Sequence, residues 1–476
     1  MLKYGALMYN LILSFFILLV SALPSYSAEN KLSFETHALL NALGYKVGVV
    51  DGAFGKKSKA ALSKFHLSQK VNSGPTPDEK SLILLKKVYF GDSVNDLNLR
   101  WNGNFIVPLD VLRQFSSANQ VAINKSCGLN TNYHRTKIND ELAKNVPLKI
   151  TGFNSRMDNQ ASVKNADRLD LFVLNFSRLA TSVISQRNEV DAELALKALY
   201  YWANGNAFLE TVQCTKFGIL DDKKCTEWTQ SNGQDLSLIK DHGTVQMHMM
   251  HLSYGYYMTL SAYNKSDPRH LVIQKWFNSF FKRNKSPNKA YFGMDHGWFW
   301  PEIIQNQFQG KSSVKLVKKL LNQLDQEVFN DGSIKDRTTR GNKALWYHHD
   351  GMKEIMITLE IARRHGFEIP KNLEKKIEKA GAIFIRAFQD HSYLNKWAKV
   401  AHNAIYVPGE QDFTDDLANI PNGNSWFYIY AYRYPGSDVT RQLLKLLKTQ
   451  PNNSPASKDA MIGFGLGCIY SAASEG

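Results

Sequence analysis

The sequence predicts an all-α protein: a large domain of helical hairpins closing into an incomplete ring, preceded by a small three-helix module. Three observations carry this. Apolar residues recur at steps of three or four over most of residues 155–470, the spacing of one helix face. Alternating strand patterns are few, and no heptads run on as a coiled coil requires. The helices are of moderate length and are joined by aromatic-rich loops such as Trp202-Ala203-Asn204-Gly205-Asn206, as expected of an (α/α) toroid whose inner face and loops form a groove.

From the N-terminus, Lys3, the apolar run Leu11 to Val20 and the small residues Ser25, Ser27 and Ala28 read as a signal peptide over 1–28, with cleavage near Ser27 or Ala28, or at Ala22. The run is short for a membrane span and no later stretch could cross a bilayer. The expected location is the periplasm, with no stable span after cleavage.

Residues 34–90 form the small unit. Phe34 and His37 to Leu40 begin a helix that Gly44 ends; Lys56 to Phe65 is a second, with Ala60, Ala61, Leu62 and Phe65 inward; Pro77-Asp78-Glu79 opens a third, carrying Leu82, Leu85 and Val88. Residues 91–150, rich in Asn and Gly, are expected to be an irregular connector plus the first elements of the large domain. Over 151–470 the helical period returns in Leu169/Phe172/Phe176/Leu179/Val183, Val314/Val317/Leu321/Leu324/Val328, Met352/Ile355/Met356/Leu359/Ala362 before Gly366, and Leu373/Ile377/Ala380/Phe384/Phe388.

The 476 residues carry a formal net charge of +15. A basic surface concentrates polyanions. No zinc-finger spacing, single-strand-binding motif or arginine-rich segment is present, so an acidic polysaccharide is favoured over nucleic acid. Aromatic residues make up 12% of the chain and cluster with the charges, an arrangement suited to packing sugar faces as well as to a core. Of the four cysteines, Cys214 and Cys225 flank a polar loop and are paired here, and Cys127 with Cys468 would tie the start of the large domain to its end; two other connectivities exist. No CxxC is present, so no metal is expected, and no cofactor.

Two clusters combine charge and aromatic groups. One is Arg340-Gly341-Asn342-Lys343-Ala344-Leu345-Trp346-Tyr347-His348-His349. The other is Asp295-His296-Gly297-Trp298-Phe299-Trp300. On a helical backbone Arg340 and Tyr347, seven residues apart, would share one face. His348, His349 and Asp350 look like a metal cluster on paper, but adjacent helical residues do not face one ligand. His242, His248 and His251 form a looser group, with His242 a groove candidate.

The pattern around Leu39 to His66, above all the turn Asp51-Gly52-Ala53-Phe54-Gly55, resembles the peptidoglycan-binding three-helix module of bacterial envelope proteins, with Ser58 where threonine is usual. That resemblance implies a cell-wall partner; a helical spacer without a ligand is the alternative. The large domain, over roughly 150–436, resembles the alginate lyases of polysaccharide lyase family five. The resemblance lies in Arg340-Gly341 through Tyr347-His348, in Asp331-Gly332-Ser333 before them, in Met294 to Phe299, and in Ser425-Trp426 with Tyr432 to Pro435.

The resemblance implies β-elimination on a uronic-acid polymer, mannuronate-rich alginate first. The substrate carboxylate must be neutralised before the C5 proton can leave, a task suited to a guanidinium fork; a base then takes the proton and an acid protonates O4. Tyrosine titrates about three units above neutral pH, roughly 4 kcal/mol, so a tyrosine base needs cations beside it. The implied roles are Tyr347 as acid and, for one sugar configuration, base; Arg340 as neutraliser; and His296 as neutraliser or as base for the opposite configuration. Asp295, Trp298, Trp300, Trp346, His348 and His242 would line the substrate. Asp295 replaces the family's asparagine; it is protonated, or orients His296, or marks a different substrate geometry. The competing readings are a non-catalytic anionic-glycan-binding protein on the same fold, and a toroidal glycoside hydrolase, which needs two acids across the groove, such as Glu302 with Asp331 or Asp350.

Overall fold

The computed structural model describes residues 23–91, 106–144, 160–209, 237–260, 267–283, 299–308, 311–398, 411, 424–449, 455 and 465–475. Among these the chain is all-α; the single antiparallel bridge, Val328 to Ile334, belongs to a turn. No helix among the described residues is long and apolar enough to cross a membrane.

The first three helices, α1 (Leu23–Ala42), α2 (Lys56–Ser68) and α3 (Glu79–Phe90), pack around Leu39, Leu40, Leu62, Phe65 and Leu85. Their ends are set by local chemistry. Gly44 takes φ +88°, where only glycine is unstrained, and Asp78 caps α3 by accepting from the Ser81 amide at 2.6 Å.

The stretch 106–144, read from the sequence as polar and irregular, a connector with the first elements of the large domain, carries three helices: α4 (Leu109–Ser117), α5 (Gln120–Cys127) and α6 (Asn132–Ala143). Each is short. α4 buries Val111, Leu112 and Phe115, and Asn119 caps α5 by accepting from Ala122 at 2.9 Å. Two to three turns with polar outer faces give too few apolar repeats to stand out in the sequence.

Next come α7 (Gln160–Gln186), α8 (Glu189–Asn204), α9 (Ser237–Thr259), α10 (Arg269–Arg283), α11 (Trp300–Phe308) and α12 (Val314–Glu327). They are followed by α13 (Ala344–Arg364), α14 (Lys371–Gln389), α15 (Ser425–Arg433), α16 (Asp438–Thr449) and α17 (Leu466–Glu475). They pack in succession around an incomplete ring: α11 on α10, α10 on α8, α8 and α9 on α7, α7 on α5, α5 on α17, α17 on α15, α15 on α13, and α13 on α12 and α14. The α7–α8 hairpin is stacked through Phe172 and Trp202, 4.2 Å apart at 23°. Gly255 lets α9 close on α7, because a Cβ there would lie 2.6 Å from the Phe176 ring.

The helix that positions the site is α13. Its neighbours leave almost none of it exposed, so its charges must be matched inside. Glu354 accepts from Arg337 at 2.8 Å, and Asp350 accepts from Lys353 at 2.6 Å. Glu360 accepts from Arg433 Nε at 2.9 Å, Arg363 at 2.6 Å and the Tyr470 hydroxyl at 2.6 Å. The C-terminal end of α13 receives the three-helix unit. The Val50 amide donates to the His365 carbonyl at 3.0 Å, the Phe34 ring meets the His365 ring edge-on at 5.8 Å, and Arg364 lies 5.3 Å over the Phe34 ring.

Cys127 on α5 and Cys468 on α17 are disulfide-bonded, as expected, across 341 residues of sequence. The other expected pair, Cys214 with Cys225, lies outside the described residues. Replacing Cys127 and Cys468 by serine together is expected to cost about 2–5 kcal/mol of stability in non-reducing denaturant titrations; an unchanged midpoint would show that the helix contacts alone close the chain.

Candidate functional site

The site is built on the segment between α12 and α13. Val328 and Ile334 pair across a tight turn whose Gly332 has φ +90°, and a Cβ there would sit 2.5 Å from the Lys379 backbone carbon on α14. Only glycine satisfies both demands. Asp331 beside it accepts from the Ser333 amide at 2.9 Å, the Ser333 hydroxyl at 2.6 Å and the Trp397 indole at 3.1 Å. Burial alone would raise its pKa; these donors and Lys396 outweigh that and hold it below the usual carboxylate value.

Arg340 follows, with its Nε donating to the Asp336 carbonyl at 2.5 Å. The backbone then makes a short 3-10 turn over Gly341–Lys343, with Gly341 at φ +53°, before α13 begins. Arg340 and Tyr347 are therefore not two turns along one α-helix. They meet because the turn folds the arginine back: its guanidinium carbon lies 3.8 Å from the Tyr347 ring centroid. Arg337 approaches the same ring at 5.7 Å. Trp346 stacks on Tyr347 at 5.6 Å and 24°, and Lys343 lies 5.7 Å over Trp346. Cations over ring faces are attracted by the aromatic quadrupole, more strongly where water is excluded. Arg340 is 4% exposed, Tyr347 is partly exposed and Trp346 is 38% exposed, so the stack runs from the interior to the surface.

Gln411 fixes the start of α13 from 66 residues away. Its carbonyl accepts from the Leu345 amide at 2.9 Å and its amide donates to the Gly341 carbonyl at 2.9 Å. It thus caps the helix with a residue distant in sequence, and nothing local marked it in the sequence. Arg337 was equally unmarked, although a basic residue just before the Arg340 segment was a visible signal.

Two residues expected to line substrate are placed elsewhere. His348 is fully buried, and its nitrogens are engaged inside the protein. The Ile334 amide donates to the Thr338 hydroxyl at 2.8 Å, that hydroxyl donates to His348 Nδ1 at 2.8 Å, and His348 Nε2 donates to the Ala380 carbonyl at 2.9 Å. It ties the turn to α14. Trp300 is 2% exposed and packs in the core at the start of α11. His349 also points inward and accepts from the Trp426 indole at 3.1 Å. Asp295, His296 and Trp298 lie outside the described residues, as does the side chain of His242. His248 is buried against Asp170, with His251 5.7 Å away ring to ring.

No family model matches the chain, and no curated protein matches it in sequence. Among solved structures, alginate lyase A1-III from Sphingomonas species A1 matches at TM-score 0.44 and 16% identity, over 68% of this chain and 92% of that one. A histidine-to-alanine variant of alginate lyase A1-III complexed with a tetrasaccharide matches at TM-score 0.43 and 14% identity, over 68% and 91%. The apo form of that variant matches at TM-score 0.46 and 15%, over 75% and 97%. Overlaps of this size leave the functional assignment to the residues themselves.

Burial pushes His348 and His365 down to about 4. In the unfolded chain a histidine takes up its proton near 6.5, so each contributes stability that is complete above that pH and is lost as pH falls towards 4. The slope is about 1.4 kcal/mol per pH unit for each. Urea midpoints should therefore fall between pH 7 and pH 5.5, and His348→Asn should flatten that dependence. Parallel curves for the two proteins would contradict the buried neutral imidazole.

Proposed function

We propose that the chain is an exported polysaccharide lyase that cleaves a uronic-acid polymer, mannuronate-rich alginate first, by β-elimination. The observation that carries the reading is the Arg340 guanidinium stacked 3.8 Å over the Tyr347 ring, at the outer end of a buried, braced helix. It supports a site where a phenol works beside fixed positive charge.

In the proposed reaction Arg340 offsets the substrate's carboxylate charge as it spreads towards a dianion. A base removes the C5 proton, the C4–O4 bond breaks, and a C4–C5 double bond forms. Tyr347 gives a proton to the departing O4 and, where the leaving group and C5 hydrogen share a face, has first taken one from C5. For the opposite sugar configuration His296 is the proposed base. Trp346 offers a flat, half-exposed surface for a sugar ring. No redox partner is needed: the C5–H electron pair becomes the new double bond, the C4–O4 pair leaves on O4, and the proton lost at C5 is balanced by the one gained at O4.

The periplasm is the proposed location and the cell wall the proposed partner of the three-helix unit. Val50, the residue before its Asp51-Gly52 turn, is engaged with α13, so any wall contact must use the rest of that unit.

Incubation with alginate, glucuronan or glycosaminoglycans is expected to generate an ultraviolet-absorbing unsaturated uronate. Tyr347→Phe, which keeps the ring and its stack, should lower the rate by ~10² or more. Arg340→Ala should lower kcat by ~10²–10³ if it stabilises the transition state. Silence with every polyuronate, or full activity in Tyr347→Phe, would overturn the proposal. Tight binding without turnover would favour a glycan-binding protein.

A further inference from the structure

The outer face of α10 carries a feature that the proposed active site does not use. A shallow depression of about 370 Å³ runs along it, lined by Leu271, Gln274, Lys275, Asn278, Ser279 and Lys282, with Gln305 of α11 on its far side. The lining positions recur at steps of three and four, so they form one stripe on the helix. Lys275, Ser279 and Lys282 are exposed, and Asn278 and Gln274 are half-buried. Among the described residues, no carboxylate lines the depression and neither lysine has an ion-pair partner. Asn278 lines the depression as a half-buried amide. Gln274 is steadied by the Tyr256 hydroxyl at 3.4 Å.

The helices under this face are not those that hold the Arg340–Tyr347 pair: α10 packs on α8 and α11, whereas the pair stands at the head of α13, between α12, α14 and α15.

We propose that this stripe is a second binding track for an anionic polysaccharide, one that holds a stretch of polymer away from the reacting linkage. The choice of polymer class rests on the function proposed above. Lys275 and Lys282 are seven residues apart, about 10.5 Å along the helix axis, comparable to the advance of two linked pyranose rings. That backbone spacing suits carboxylates on alternate sugars. Between them stand amides and a hydroxyl, the groups that exchange hydrogen bonds with sugar hydroxyls. The stripe has no aromatic platform for stacking bases and no arginine fork for phosphates, which separates it from a nucleic-acid surface. A chain with net charge +15 draws a polyanion to its surface, and such a track keeps it there once drawn.

The test uses the full chain carrying Tyr347→Phe, so that polymer is not consumed, and measures its binding to immobilised mannuronate-rich alginate at low and high salt. Adding Lys275→Gln with Lys282→Gln is expected to weaken binding about five- to tenfold, the effect of two exposed charge contacts, and to make its salt dependence shallower. Lys315→Gln with Lys318→Gln removes the same charge from the exposed side of α12 and is the control, expected to leave binding unchanged. Equal binding by the α10 variant, or an equal loss in the control, overturns the track. Retention on double-stranded DNA that falls by the same factor in the α10 variant overturns its assignment to sugar. Turnover is assayed separately on the unmodified chain: absence of elimination with a selective loss at α10 removes the lyase and keeps the track, and elimination with unaltered α10 binding does the reverse.

Discussion

A guanidinium holds its place over a phenol ring only if the backbone on both sides is fixed. Here Arg340 lies 3.8 Å from the Tyr347 centroid, and every neighbouring element removes a freedom that would let it leave. The Asp336 carbonyl holds its Nε, Gly341 turns the chain at φ +53°, and Gln411 clasps both the turn and the Leu345 amide of α13. His348, one residue past the tyrosine, ties the same segment to Thr338 and to α14. The attraction within one such cation–ring pair is about 0.5–2 kcal/mol; what makes it a stable geometry is that the frame around it is built from buried, satisfied polar groups, each costly to break.

That frame depends on α13. At 21 residues it is about 30 Å long. It carries the Arg340–Tyr347 pair at its head and the three-helix unit at its foot, where Val50, Phe34 and Arg364 meet. Between the two ends, Glu354 and Glu360 are matched by Arg337, Arg363, Arg433 and Tyr470. Buried charges on such a helix are expensive to misalign. They fix its register against α12, α14 and α15, and so fix where the aromatic stack emerges. The same α15 arginine reaches Asp110 on α4, which joins the N-terminal part of the chain to this axis.

Long helices were legible in the sequence because their apolar residues repeat over many turns. Leu169 to Val183, Val314 to Leu324, Met352 to Ala362 and Leu373 to Phe388 all lie on helices where the period placed them. The short α4–α6 were not, because two or three turns carry too few repeats. At the site, residue types were legible and geometry was not. The seven-residue spacing drew attention to Arg340 and Tyr347, yet the contact is made by a 3-10 turn and a positive-φ glycine, not by a shared helix face. His348 and Trp300 were misread because imidazole and indole serve interiors as readily as clefts; only burial and partner atoms separate the two uses. Gln411 was invisible, since a cap supplied across 66 residues leaves no local pattern.

The proposed reaction rests on the cation–aromatic stack, and what leaves the substrate tells it apart from hydrolysis. The origin of the oxygen at the new chain end tests the chemistry most directly. With alginate oligomers digested in oxygen-18-labelled water, elimination breaks the C4–O4 bond without adding water, so fresh products should carry an unsaturated ring and no label. Labelled, saturated products would mean that water attacked the anomeric carbon, and intact oligomers would mean that the stacked phenol does no chemistry on them.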